Sequence, residues 1–205
     1  MAPAAARLAR PFYSQPTLTV AESLLGRTLY RETDEGLVAG RLVEVEAYCG
    51  SADPASHAYR RVTPRNAIMF GPAGYLYVYF TYGMHHCANI VTFEEGAAGA
   101  VLLRAVEPLE GLDLMAARRG VVDPRLLAKG PARLCQAYGL TRQNNGADLV
   151  TGDLWVGEER TLRGPVRTSM RIGVKPDPGK PWRFFEEGPY VSAPSGRKSS
   201  VNLQA

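Results

Sequence analysis

Apolar positions along the 205-residue chain change period several times, and each change marks an element. Thr17–Leu25 reads as a short helix stopped by Gly26. Arg27–Glu32 and Leu37–Tyr48 read as strands around a Thr-Asp-Glu-Gly turn at 33–36. Residues 50–69 are irregular and rich in turn formers. Tyr75–Thr81 alternates cleanly: Tyr75, Tyr77, Tyr79 and Thr81 go to one face, Leu76, Val78 and Phe80 to the other. Ala100–Val106 is a further strand. Leu109, Leu112, Met115 and Ala116 then recur at helical spacing, which predicts a helix over 109–118. Pro131–Tyr138 reads as a helix stopped by Gly139. Short strands follow at Leu154–Val156, Val166–Val174 and Trp182–Phe185. Residues 1–10 and 193–205 read as flexible tails, leaving one domain over 11–192. Strands and helices mix without a regular βαβ rhythm, so the expected class is α+β rather than a doubly wound sheet.

Composition narrows the partners only slightly. A chain that is 45% hydrophobic can bury a proper core. The net charge of +4 tilts it toward an acidic partner such as nucleic acid. No block of five like charges is present, so no basic tail does the binding. Cys49, Cys87 and Cys135 are odd in number and far apart, which argues against a disulfide framework and a thiolate zinc site and fits a reducing cytosol. The N-terminus lacks the apolar core of a signal peptide, and no stretch approaches a membrane span.

Four places carry unusual chemistry. In the strand ending at Tyr48, alternation sends Val43, Val45 and Ala47 to one face and Glu44, Glu46 and Tyr48 to the other. Two carboxylates on one face repel and resist burial. The face is either solvated or a cleft that poises one carboxylate as a base. Tyrosines 75, 77 and 79 offer flat amphipathic surface, suited to packing or to stacking on a nucleobase. His85 and His86 are adjacent and point apart in an extended segment, a poor chelating pair, so no metal is expected. Arg104 sits in an otherwise apolar strand, either snorkelling at an edge or placing a positive charge in a cleft. Glu107 and Glu110 read as structural acids opening the next helix. Phosphate-cradling glycine motifs and a Gly-x-Ser-x-Gly elbow are absent.

Taken in order, Glu44, Glu46 and Tyr48, then His57, then Thr63 to Asn66, then Tyr77 through Met84, Asn89, the run 102–108, Pro108 to Leu112 and Gly130 to Ala137 form a specific set. The chain resembles the alkyladenine (3-methyladenine) DNA glycosylase family over roughly residues 11–192. The resemblance implies a single compact mixed domain with a curved, largely antiparallel sheet, no metal and no cofactor. It implies a monofunctional enzyme on double-stranded DNA, starting base excision repair. That enzyme flips alkylated or deaminated purines (3-methyladenine, 7-methylguanine, hypoxanthine, ethenoadenine) out of the duplex. Water then hydrolyses the N-glycosidic bond, without lyase chemistry.

The same resemblance assigns residues. Glu46 matches the catalytic glutamate that activates water, while Glu44 is treated as structural. Tyr79 matches the stacking tyrosine, with Tyr48 opposite and His57 lining the pocket. Asn89 matches the residue that crowds the purine 2-amino position. Tyr82 matches the wedge entering the duplex, flanked by Met84. Arg104 matches an arginine on the backbone of the flipped nucleotide, with Leu102 beside it, and Thr63 and Arg65 join the DNA contacts. On this reading Tyr75 and Tyr77 are packing residues. Tyr79 and Tyr82 fall on opposite faces by alternation, so the strand must end near Thr81 and turn at Gly83. His85 departs from relatives that carry an aromatic there. A cytoplasmic, nucleoid-associated monomer from a bacterium is expected.

Two other readings stand beside this one. A non-enzymatic nucleic-acid-binding module explains the basicity and the aromatics, but not a carboxylate beside them that opposes phosphate. A hydrolase of free nucleosides predicts activity on mononucleosides, where a wedge and Arg104 have no purpose.

Overall fold

The computed structural model describes residues 6–81, 83–174 and 179–192. Two helices, α1 (Arg10–Tyr13) and α2 (Thr17–Leu24), precede five strands: β1 (Arg27–Thr33), β2 (Gly36–Tyr48), β3 (Leu76–Thr81), β4 (His85–Thr92) and β5 (Gly99–Glu110). Helices α3 (Leu112–Arg119), α4 (Pro124–Leu127) and α5 (Pro131–Ala137) follow, then β6 (Leu154–Arg160), β7 (Val166–Ser169) and β8 (Arg183–Glu186). The eight strands form one open antiparallel sheet with the path β3-β4-β5-β2-β1-β6. The fold is α+β, in one domain.

β2 organises the sheet. β5 runs along one edge from Ala39 to Tyr48. The other edge is divided: β1 takes residues 36–41 and β8 takes 44–46. The sheet therefore forks midway along β2, and the β7–β8 hairpin covers what β1 leaves bare. Past Leu102, β4 no longer flanks β5. The segment 128–130 covers that edge instead, with Val106 N–H donating to Ala128 O and Gly130 N–H to Arg104 O.

Alternation divides the sheet as expected. Val45, Leu76, Val78, Ala88, Ile90, Val101 and Leu103 face the main core, where Leu24, Met115, Leu134 and Tyr138 meet them. Each valine, leucine or isoleucine among them contributes roughly 1.5–3 kcal/mol by leaving water. Tyr77, Val91 and Ala100 face a smaller cluster with Ala58 and Met69 on the other side. That second face holds the site.

Four boundaries differ from the periodicity. β4 is a strand where the mixed residues of 85–92 gave no apolar pattern; pairing with β3 and β5 orders it. Residues 109–110 continue β5 rather than opening a helix, because Ala39 and Gly40 pair with Glu110 and Pro108. Leu109 is the extra residue of a bulge, which accommodates a proline in a strand. Glu107 accordingly lies within β5 and is ion-paired to Arg41 at 2.8 Å, not placed in a helical first turn. β7 stops at Ser169, not Val174. At the other end of the domain, Leu8 is buried and donates its N–H to Val156 O, so the segment before α1 lies along β6 rather than loose.

Candidate active site

Cross-strand pairing assembles the site in rows. Tyr77 pairs with Asn89, Asn89 with Leu102, Leu102 with Glu46, and Glu46 with Arg183. One line of side chains thus crosses five strands on one face. One pleat along, Tyr79 pairs with Cys87; on the other side, Ala100 pairs with Tyr48. Residues remote in sequence become neighbours because register alone puts them there.

These rows floor a cavity of about 550 Å³. Tyr48, Tyr77, Tyr79, Cys87, Asn89, Leu102 and Arg104 line it from the sheet; His57 and Arg65 close one side, and Pro131 and residues 172–174 the other. His57 stands at the rim, edge-on to Tyr79 at 4.6 Å between centroids. Its Nδ1 meets the Tyr77 hydroxyl at 2.9 Å. Partial burial, then the Arg65 charge, lowers the His57 pKa below its ordinary 6.5, so the ring is neutral at pH 7. Burial and a hydrogen bond with the Cys87 thiol raise the Tyr79 pKa, keeping its phenol protonated. Arg65 lies over the Tyr79 ring at 5.4 Å. Asn89 is buried and donates to Tyr77 O at 3.1 Å.

Glu46 lies directly behind the wall, fully buried. Its Oε1 accepts the Ile172 N–H at 2.8 Å and faces Arg104 Nη1 at 3.1 Å; its Oε2 accepts the Tyr48 hydroxyl at 2.9 Å. Burial pushes its carboxyl above the ordinary glutamate range, against the pull of Arg104, Ile172 and Tyr48. Glu44, also fully buried, has stronger company. Its Oε1 accepts Arg104 Nε at 2.7 Å and Arg183 Nε at 2.8 Å, and the Ser192 N–H donates to Oε2 at 2.6 Å. Burial raises its carboxyl too, but Arg104, Arg183 and Ser192 outweigh that and hold it below the ordinary range.

A bulge aims Arg104. Leu103 pairs with Val45 and Ala105 with Glu44, so Arg104 is the additional residue on β5 and lacks a direct cross-strand partner. Its guanidinium turns to both carboxylates. Instead of extending freely into the cavity, it forms part of the wall.

At the mouth, β3 ends at Thr81 and Gly83 takes a left-handed φ of 69°, the turn that alternation requires. Met84 follows, 70% exposed. Tyr82 lies outside the described residues. Thr63 holds Asn66 in a compact turn: its N–H donates to Asn66 Oδ1 at 2.6 Å, and Asn66 Nδ2 donates to His57 O at 2.7 Å. Thr63 therefore supports the rim and does not line the cavity.

Sequence reasoning missed the parts that five residues play. Tyr77 packs, as expected, but its hydroxyl also orients His57. Asn66 sets the loop behind His57. Ile172 reaches Glu46 and Arg171 reaches the Tyr48 ring from a loop far along the chain, with Asp53 holding Arg171, and an irregular backbone leaves no periodic signal. Among the described residues, no helix is long and apolar enough to cross a membrane.

Fold and site define a class: a single α+β domain whose sheet carries an aromatic pocket backed by a carboxylate of raised pKa. A family model described as methylpurine-DNA glycosylase (MPG) matches residues 11–189. The chain is 48% identical over 189 residues to a protein of Chlorobaculum parvum, covering 91% of this chain and 90% of that protein. It is 46% identical over 206 residues to one of Chlorobaculum tepidum, covering 97% and 99%. It is 50% identical over 187 residues to one of Methanoculleus marisnigri, covering 88% and 96%. All three have 3-methyladenine DNA glycosylase in their names. The chain belongs to the methylpurine-DNA glycosylase family, and is a DNA glycosylase of alkylation repair.

Proposed function

We propose that the protein flips an alkylated or deaminated purine (3-methyladenine, 7-methylguanine, hypoxanthine or ethenoadenine) out of duplex DNA and releases it by hydrolysis. The observation that carries this is Glu46: a buried carboxylate of raised pKa, one hydrogen bond behind an aromatic cavity in a protein of this family. A binder has no use for so costly a group.

The purine enters between Tyr48 and Tyr79. Electron-rich rings favour a base that carries positive charge, by roughly 0.5–2 kcal/mol. Neutral His57 lines the rim. Asn89, fixed by its bond to Tyr77 O, crowds the 2-amino group of an undamaged guanine. Tyr82 fills the gap left in the duplex, flanked by Met84, and offsets part of an unstacking cost of a few kcal/mol. Arg65 and Thr63 belong to the loop that meets the backbone.

Glu46 takes a proton from water as that water attacks the sugar C1′, and its negative charge stabilises the oxocarbenium-like transition state. The water reaches Oε2 by displacing the Tyr48 hydroxyl or enters beside Arg104. Arg104 favours the ionised form of Glu46 against the effect of burial, while its cavity face meets the sugar-phosphate of the flipped nucleotide. With water as nucleophile, no Schiff base forms and the strand stays intact.

Single-turnover release from duplexes carrying each of the four lesions tests this. Base release and alkali-labile abasic strands are expected, with no cleavage before alkali. Glu46→Gln should lose about 10²–10⁴-fold in rate while still binding lesion DNA. Wild-type release by that variant overturns the assignment, and strand cleavage without alkali overturns the hydrolytic route. Tyr82→Ala should weaken lesion affinity; unchanged affinity removes the wedge.

A further inference from the structure

Two donors to Glu46, the Ile172 N–H and the Tyr48 hydroxyl, come from groups that share a neighbour. Arg171 and Asp53 are both completely buried and make a two-pronged ion pair: Arg171 Nη1 to Asp53 Oδ2 at 2.6 Å and Nη2 to Oδ1 at 2.9 Å. Such geometry fixes the plane of a guanidinium as well as its position. Arg171 Nη1 also donates to Ala47 O at 3.0 Å, tying it to the β2 residue between Glu46 and Tyr48. The same guanidinium lies against the Tyr48 ring at 4.6 Å. Asp53 in turn accepts the Cys49 N–H at 3.3 Å and the Ala55 N–H at 3.1 Å, ordering the loop that presents His57.

The backbone explains why a side chain must do this. β7 has ended at Ser169, and Gly173 turns the chain with a left-handed φ of 73°. The Ile172 N–H is outside any strand ladder and points at a carboxylate instead. No sheet register holds the 171–172 peptide there.

We propose that Asp53 and Arg171 are positioning residues for base release, holding the Ile172 N–H against Glu46 and setting the angle of the Tyr48 ring. The pair acts through Ile172 and Tyr48 and touches neither Glu46 nor the reacting atoms. This rests on Glu46 being the base. The charged and titratable groups facing Glu46 are Arg104, Glu44, Tyr48 and Cys87, from β5, β2 and β4, with Arg183 of β8 its cross-strand partner. Asp53 and Arg171 lie on loops outside these strands, and their substitution reaches Glu46 chiefly through the N–H and the ring.

Asp53→Asn keeps shape and loses charge; Arg171→Lys keeps charge and loses the fork. Both are measured by single-turnover release from a hypoxanthine duplex across pH 5 to 9, beside lesion-duplex affinity and thermal melting. We expect release at pH 7 to fall about tenfold or more and affinity to change less than about threefold. The acid limb of the rate profile should move up by about one pH unit, since a hydrogen bond favouring the ionised form has weakened. Folded variants with the wild-type rate and limb overturn the proposal. So does lowered melting temperature with the limb unmoved, the mark of a merely structural pair. Should either variant fail to fold, Asp53→Glu carries the test: it keeps the charge but displaces the fork, and the same limb shift is expected. Inactive wild-type protein would refute the proposed function itself, whereas active wild-type protein with unmoved variants refutes only this inference.

Discussion

Glu44 and Glu46 stand two residues apart on one strand face, and both are fully buried. Both share Arg104, yet their surroundings differ in kind. Glu44 receives two guanidinium nitrogens and a serine, so all its acceptor capacity meets strong donors. Glu46 receives one guanidinium nitrogen, one peptide N–H and one phenol, and lies against the cavity wall. Burial therefore does not distinguish the two carboxylates; their partners do. The first is saturated with charge and acts as a joint between β2, β5, β8 and Ser192. The second is left short of charge where a substrate can arrive.

The largest effect that separates them is in rate. Glu46→Gln should abolish most base release and leave the fold intact. Above the folded pKa of Glu46 it should even stabilise the protein relative to wild type. That pKa is raised above the unfolded value, so the stabilising contribution of Glu46 is full below pH about 4.5 and lost as pH rises through the folded value. Chemical denaturation from pH 4 to 8 checks the sign. A variant equally destabilised at every pH would erase the contrast.

Glu44→Gln should do the reverse. Removing one member of a buried ion set costs about 3 kcal/mol or more, or roughly 6–12 °C in melting temperature for a chain of this size. Here the folded pKa is depressed: the advantage of wild type over variant is present above pH about 4.5 and lost as pH falls through the folded value. Opposite pH slopes in two neighbouring substitutions are the sharpest check on the comparison.

Tyr48→Phe keeps a stacking ring and deletes one donor to Glu46. A drop in release of about tenfold and an acid limb raised by about one pH unit are expected in single-turnover profiles. The smallest effect belongs to Ser192→Ala. Its hydroxyl contacts both Glu44 oxygens at 2.7 Å, so about 1 kcal/mol of stability should be lost while base release stays at the wild-type rate.

This asymmetry between the carboxylates was only half legible in the chain. Alternation assigned Glu44, Glu46 and Tyr48 to one face and the tyrosines of β3 to another strand's equivalent face, because strands obey a period of two. The turn at Gly83 followed from the same count. Family resemblance singled out Glu46. Nothing periodic, however, says that Arg104 is displaced by a bulge, or that β8 takes over an edge of β2 from β1. Those depend on pairing partners, which lie beyond any window of sequence. Helical spacing at 109–118 found α3 but placed its start too early for the same reason: Pro108 and Glu110 are held by Gly40 and Ala39 across the sheet. Asp53, Arg171 and Ile172 carry no local pattern at all.

The fork in β2 has a consequence for how the protein comes into being. Ile172 donates to Glu46 across 126 positions of chain, and Ser192 to Glu44 across 148. Contacts of such span carry a large loop-closure cost, since much intervening chain must be ordered. Until the β7–β8 hairpin docks, the growing chain holds a nearly finished sheet with two carboxylates and an arginine still wet. Competence is thereby tied to the docking of the β7–β8 hairpin, and a protein nicked within the chain before Ile172 should keep much of its sheet while losing its chemistry.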